Sequence, residues 1–212
     1  MGLQIATVNE RLAQRLRGPG GLYNLGNALG LASGLALHVA VSFEVSANAG
    51  LAHGASAVAD YFLGSIGAFS ITIAMLIFFW SGERYHMAWA DGAPPDPRLN
   101  RLGDISSGFG ALALGFGLFM LGQPLLAATA GLLHAVGKFG SALPADLQDR
   151  LPFGPGVFRK SVVASRIPAI AVVWIQVNAA LMGNPSPPLA ASACLLLCYV
   201  LWLKADVALF RS

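Results

Sequence analysis

Residues Arg98–Gly122 read RLNRLGDISSGFGALALGFGLFMLG. Basic residues open the stretch, an Asp stands at the head of an apolar run, and glycine then alternates with leucine and phenylalanine. The run from 104 to 122 approaches the ~20 residues that a helix needs to cross the ~30 Å hydrocarbon layer of a bilayer. Several further runs do the same, so the reading extends to the whole chain. Its 212 residues are 56% hydrophobic and 11% charged, against about 25% charged in soluble domains. The expected class is all-α: a polytopic helical bundle in a membrane, treated as one transmembrane domain over 1–212. The pI near 9.1 then marks the cytoplasmic side, and no nucleic-acid partner is expected.

A weaker copy of the opening stretch lies at Leu22–His38, LYNLGNALGLASGLALH. A shift of 77 positions aligns Leu22/Leu99, Leu25/Leu102, Gly26/Gly103 and Leu35/Leu112, and places Asn27 on Asp104. In each copy a polar residue follows Leu-Gly where the chain enters the apolar layer.

Residues 1–21 are expected at the cytoplasmic surface. Within them 3–17 has Ile5, Val8, Leu12 and Leu16 on one side, the pattern of a helix lying on a membrane, and Gly18-Pro19-Gly20-Gly21 breaks it. The opening residues lack the apolar core of a cleavable signal. Spans are expected at about 22–44, 60–80, 104–122, 124–143, 162–182 and 187–209. Ser81–Gly103 and Pro144–Ser161 read as polar, proline-bearing loops. With six spans and the N-terminus inside, all 13 Lys and Arg fall in inner segments or at inner span ends. Five spans plus a re-entrant or surface segment after Pro124 would put five of them outside. The positive-inside bias therefore favours six crossings, both termini cytoplasmic, in a plasma-type (bacterial inner) membrane.

The polar residues inside these spans are the candidates for chemistry. Asn27, His38, Asp104, His134 and Arg166 are proposed to line or bind along a solute path. Each has a plainer role. Asn27 and Asp104 can cap helix N-termini, Arg166 can snorkel to the inner surface, and the histidines can bond neighbouring helices. Glu44, His53 and Asp60 could form an outer cation or proton site, or simply be wetted interfacial groups. Glu83–His86 read as a solvated membrane edge. Gly26, Gly30 and Gly34 form a ladder that lets helix backbones approach closely in lipid, and Gly108 and Gly115 repeat the theme. Cys194 and Cys198 share a helix face but are too few for a metal site alone, and the metal content is left unknown.

Three functional readings follow. The first is a permease-like or channel-like subunit that binds or passes a small solute. The second is a non-catalytic subunit docking other membrane subunits or a second copy through glycine-rich faces. The third is a haem b- or quinone-binding electron-transfer anchor built on His38 and His134. Depth weakens the last reading. At ~1.5 Å per residue, His38 lies about 24 Å from the inner face and His134 about 15 Å from the outer. The zincin, nucleophile-elbow and P-loop motifs are lacking, so no catalytic residue is assigned.

Overall fold

A computed structural model describes residues 18–46, 56, 59–60, 63–90, 94–154, 156–183 and 189–210, with the backbone alone over 37–46. The expected surface helix at 3–17 and His53 lie outside the described residues.

The helix expected to start at Asp104 begins at Pro97. Asp96 is its N-cap, accepting from the amides of Arg98 and Leu99 at 2.8 and 3.0 Å, and Pro97 fills the first position, where no amide hydrogen is needed. Asp104 is therefore interior to the helix, and the capping role expected of it belongs to Asp96. Asn27 is likewise interior, in a helix that starts at Gly18.

The described residues are all-helical: α1 (Gly18–Ser46), α2 (Ile66–Ala88), α3 (Pro97–Met120), α4 (124–141), the short α5 (Ala145–Asp149), α6 (Val157–Leu181) and α7 (Leu189–Phe210). Four of them, α2, α3, α6 and α7, are long and apolar enough to cross a membrane. This makes the chain a helical membrane protein in contact with a lipid bilayer. The wide scatter of exposed Leu, Ile, Phe and Trp along these helices suits a surface that faces lipid tails.

Two stretches expected as loops are partly helical. Ser81–Ala88 continues α2 because Ser81, Gly82, Tyr85 and Ala88 are buried on one helical face. Val157–Ser161 opens α6.

The helices form a ring in chain order. Each long element packs chiefly on its two sequence neighbours, α4 bridges α3 and α6, and α7 closes on α1. The turn from α3 to α4 illustrates why neighbours pair. Gly122 adopts φ +73, Gly122 N–H donates to Phe119 O, and Gln123 N–H donates to Leu118 O. This is the two-bond left-handed cap that terminates a helix sharply, and Pro124 then starts the return helix.

α4 is not uniform. Ala127–Leu133 is a π-helix between Pro124–Leu126 and His134–Ser141. Opposite it, a Cβ on Gly115 would lie 2.9 Å from the Cα of Gly131. Only glycine permits this backbone crossing. Gly108 similarly admits the ring of Phe139, and Gly26 and Gly30 admit Trp202 and Cys198 of α7.

Candidate functional site

Arg98, Arg101, Arg159, Lys160 and Lys204 lie towards one end of the bundle, here the basic end. The Gln123 and Met182 turns mark the far end. Near the basic end, four ring helices each contribute one charged side chain to the interior: Asp104 from α3, Lys138 from α4, Arg166 from α6 and Asp206 from α7. The side chains of Lys138, Arg166 and Asp206 are 2%, 1% and 0% exposed, and that of Asp104 is 10% exposed.

The four are joined in sequence. Lys138 Nζ lies 3.3 Å from Asp104 Oδ1 and 3.1 Å from Asp206 Oδ1. Asp206 Oδ2 accepts from Arg166 Nε at 2.9 Å. Two carboxylates and two cations cancel, so the cluster adds no net charge to the apolar layer. An unpaired charge would be expensive there.

Neutral partners extend the cluster. Tyr85 donates to Asp104 Oδ1 at 2.6 Å and accepts from Lys138 Nζ at 3.0 Å. Arg166 Nη2 lies 2.9 Å from His134 Nε2, and His134 Nδ1 lies 2.9 Å from Ser165 Oγ. A guanidinium only donates, so Nε2 must accept and the proton sits on Nδ1. Ser165 then accepts from Nδ1 and donates to Val162 O at 2.6 Å. The imidazole is thus a neutral relay with both nitrogens engaged, and as placed neither is free for a haem iron.

Trp202 roofs the cluster. The Arg166 guanidinium lies 4.7 Å from its ring centroid, and its indole N–H donates to Asn27 Oδ1 at 3.0 Å. Arg166 Nη1 has no hydrogen-bond partner among the described residues, and the π face beneath the guanidinium partly compensates.

Two voids meet this layer from opposite sides. From the basic end a narrow cleft of about 20 Å³ reaches Asp104, Lys138 and Asp206 past Asn100 and Arg159. That is room for about one water. Towards the far end lies a chamber of about 420 Å³, with Trp202, Tyr199 and Cys198 in the wall nearest the cluster and Leu121, Gln123 and Gln176 in the wall nearest the far end. α7 borders both voids: Trp202 lines the chamber and Asp206 lines the cleft. They are four residues apart and so share a helix face.

The residues singled out in the sequence fall as follows. Asp104, His134 and Arg166 meet in the cluster, and Asn27 reaches it through Trp202. Arg166 does not snorkel; it is buried and ion-paired. Gly30 and Gly34 line the chamber. His38 and Glu44 lie on the helical backbone of α1, with side chains outside the description, and Asp60 is exposed, so the Glu44–His53–Asp60 group is not assembled from described residues. Among the described residues no three His, Cys, Asp or Glu side chains converge as metal ligands.

Sequence reasoning missed Asp206 and Trp202 and treated Lys138 only as a marker of sidedness. Tyr85, placed at a wetted edge, is fully buried. The available signal was depth: Asp104, Lys138, Arg166 and Asp206 each interrupt an apolar run near the same end of the bundle. No protein-family model, curated protein or solved structure matches the chain.

Proposed function

We propose that the chain is a permease-like or channel-like membrane protein that binds a small solute and passes it along the axis of its helix ring. The observation that carries this reading is the pair Trp202 and Asp206. One face of one helix borders the far chamber and the near cleft, and a single layer of Trp202, Arg166, Asp206 and Lys138 separates them. A ring with a void on either side of a thin, bonded barrier suits gated passage.

In this reading all six long helices cross, the whole chain acts as one transmembrane domain, and the basic end is cytoplasmic by the positive-inside bias, in a plasma-type membrane of the bacterial inner kind. The packing of α1 and α4 inside the same ring as the four apolar helices supports the count. Use of Gly26, Gly30, Gly108 and Gly115 within the chain favours passage over a docking role for those faces. The engagement of both His134 nitrogens favours it over a haem anchor.

The test is permeability. In proteoliposomes, Trp202→Ala should admit glycerol several-fold faster than the wild-type chain by stopped-flow light scattering. Adding Gly34→Phe, which fills the chamber, should remove the gain. A Trp202→Ala protein that is folded and no leakier than the wild type would sink the axial path.

A further inference from the structure

We infer that the chamber above Trp202 takes an uncharged molecule with an apolar body and a hydrogen-bonding head, the body seated towards Trp202 and the head towards Gln123 and Gln176. This names the solute class of the site just proposed and rests on that reading.

The lining carries the argument. The deep part is chiefly apolar, with the side chains of Tyr199 and Cys198 as its polar exceptions. Met75 and Leu114 offer hydrocarbon and thioether surface, and the Trp202 indole N–H is spent on Asn27. Nearer the far end, Ser33 donates to Ala191 O at 2.7 Å, and the Ser192 hydroxyl beside it has no partner among the described residues. A ligand's deep end thus meets surface that chiefly rewards apolar contact and offers a polar group few partners.

The far end differs. Gln123 and Gln176 stand there, each with a carboxamide that can both donate and accept. Among the described residues no Asp, Glu, Lys, Arg or His lines the chamber. Among the described residues, the charges of the interior lie beneath Trp202 and are paired with each other. A carboxylate or ammonium on the ligand would find no counter-charge among the described lining residues, whereas a hydroxyl, carbonyl or amide would find partners. The volume of about 420 Å³ falls within the range of roughly 300–1,000 Å³ of small-molecule pockets.

Three probes of one shape and different charge test this: 4-bromobenzyl alcohol, 4-bromobenzoate and 4-bromobenzylammonium. Bromine quenches tryptophan at short range, and Trp202 lies in the chamber wall. The full chain in nanodiscs is titrated with each, and the saturable part of the quenching is separated from the linear part due to partition into lipid. The alcohol should bind saturably, about tenfold or more tighter than either ion, since a buried site without a counter-charge discriminates at least this much. Gln123→Leu with Gln176→Leu should weaken the alcohol several-fold. Gly34→Phe, and independently Leu195→Phe, should abolish the saturable part by filling the space.

Equal or tighter binding of an ion, or saturable binding that survives both filling variants, would overturn the assignment. The two readings separate cleanly. Saturable alcohol binding without the Trp202→Ala leak leaves the site and removes the path. The leak without alcohol binding leaves the path and removes this ligand class.

Discussion

Asp104 accepts the hydroxyl of Tyr85 at 2.6 Å, and the residue before it, Gly103, is what lets the Tyr85 ring lie there. A Cβ on Gly103 would come within 2.6 Å of Tyr85 Cε1. The earlier copy of the motif repeats this on a different partner. Asn27 accepts the indole N–H of Trp202 at 3.0 Å, and a Cβ on Gly26 would come within 2.6 Å of Trp202 Cδ1. The recurring Gly-polar pair is therefore one device used twice: glycine admits an aromatic ring from a neighbouring helix, and the next side chain accepts that ring's hydrogen. The two rings then flank the charge cluster, Tyr85 beside Lys138 and Trp202 over Arg166.

Adding a methyl to either glycine should damage packing in the same way. Gly103→Ala and Gly26→Ala should each destabilise the chain by about 1–3 kcal/mol, the usual range for overpacking. Each loss should shrink when the facing aromatic is trimmed, in Gly103→Ala with Tyr85→Leu and in Gly26→Ala with Trp202→Leu. Thermal unfolding in detergent, analysed as double-mutant cycles, measures the coupling. Additive losses would mean that ring and glycine do not meet as described.

Asp206 is the centre of the cluster, since both cations approach it. Asp206→Ala should strand Arg166, while Lys138 keeps Asp104, and cost about 3–5 kcal/mol, as when one partner of a buried pair is removed. Removing Arg166 as well, as Asp206→Ala with Arg166→Met, should recover much of that, because exchange of a buried pair for apolar groups is often near neutral. Unfolding midpoints of the single and double variants decide it. A double variant no better than Asp206→Ala alone would place the loss in packing rather than charge.

The sequence exposed the apolar helices readily, because length and composition suffice for that. The continuation of α2 through Ser81–Ala88 was masked by its low hydropathy, although its buried positions keep a helical period. The cluster was harder to read. Asp104, Lys138 and Arg166 were each noticed, yet each had a sufficient local explanation as cap, sidedness marker or snorkelling end. A charge near the end of an apolar helix is ambiguous by itself. Its role is set by what another helix places opposite, and Asp206 is 40 positions from Arg166. No spacing rule within one helix encodes that pairing.

His134 tests the haem reading directly. Its Nε2 accepts from Arg166 and its Nδ1 donates to Ser165, so axial ligation would require breaking a bond to a buried guanidinium. Titration of the purified wild-type chain and of His134→Gln with hemin should give the same absorption spectra. A Soret shift present in the wild type and lost in His134→Gln would assign His134 as a ligand and reverse this conclusion.

The crossing of α4 is the point on which the topology turns. Residues 124–141 form a continuous helix through a π segment, which is about 27 Å at 1.5 Å per residue and close to the ~30 Å apolar layer. Its two ends carry opposite demands. Gln123 lies at the α3–α4 turn, while Arg150 follows α5 beyond the buried Lys138. Single cysteines at Gln123 and Arg150, in a chain with Cys194 and Cys198 changed to serine, should therefore label from opposite sides in right-side-out vesicles with a membrane-impermeant maleimide. Gln123→Cys should react from outside and Arg150→Cys only after permeabilisation. Labelling of both from the same side would make 124–141 re-entrant, leave five crossings, and move Arg150, Arg159 and Lys160 to the outer face.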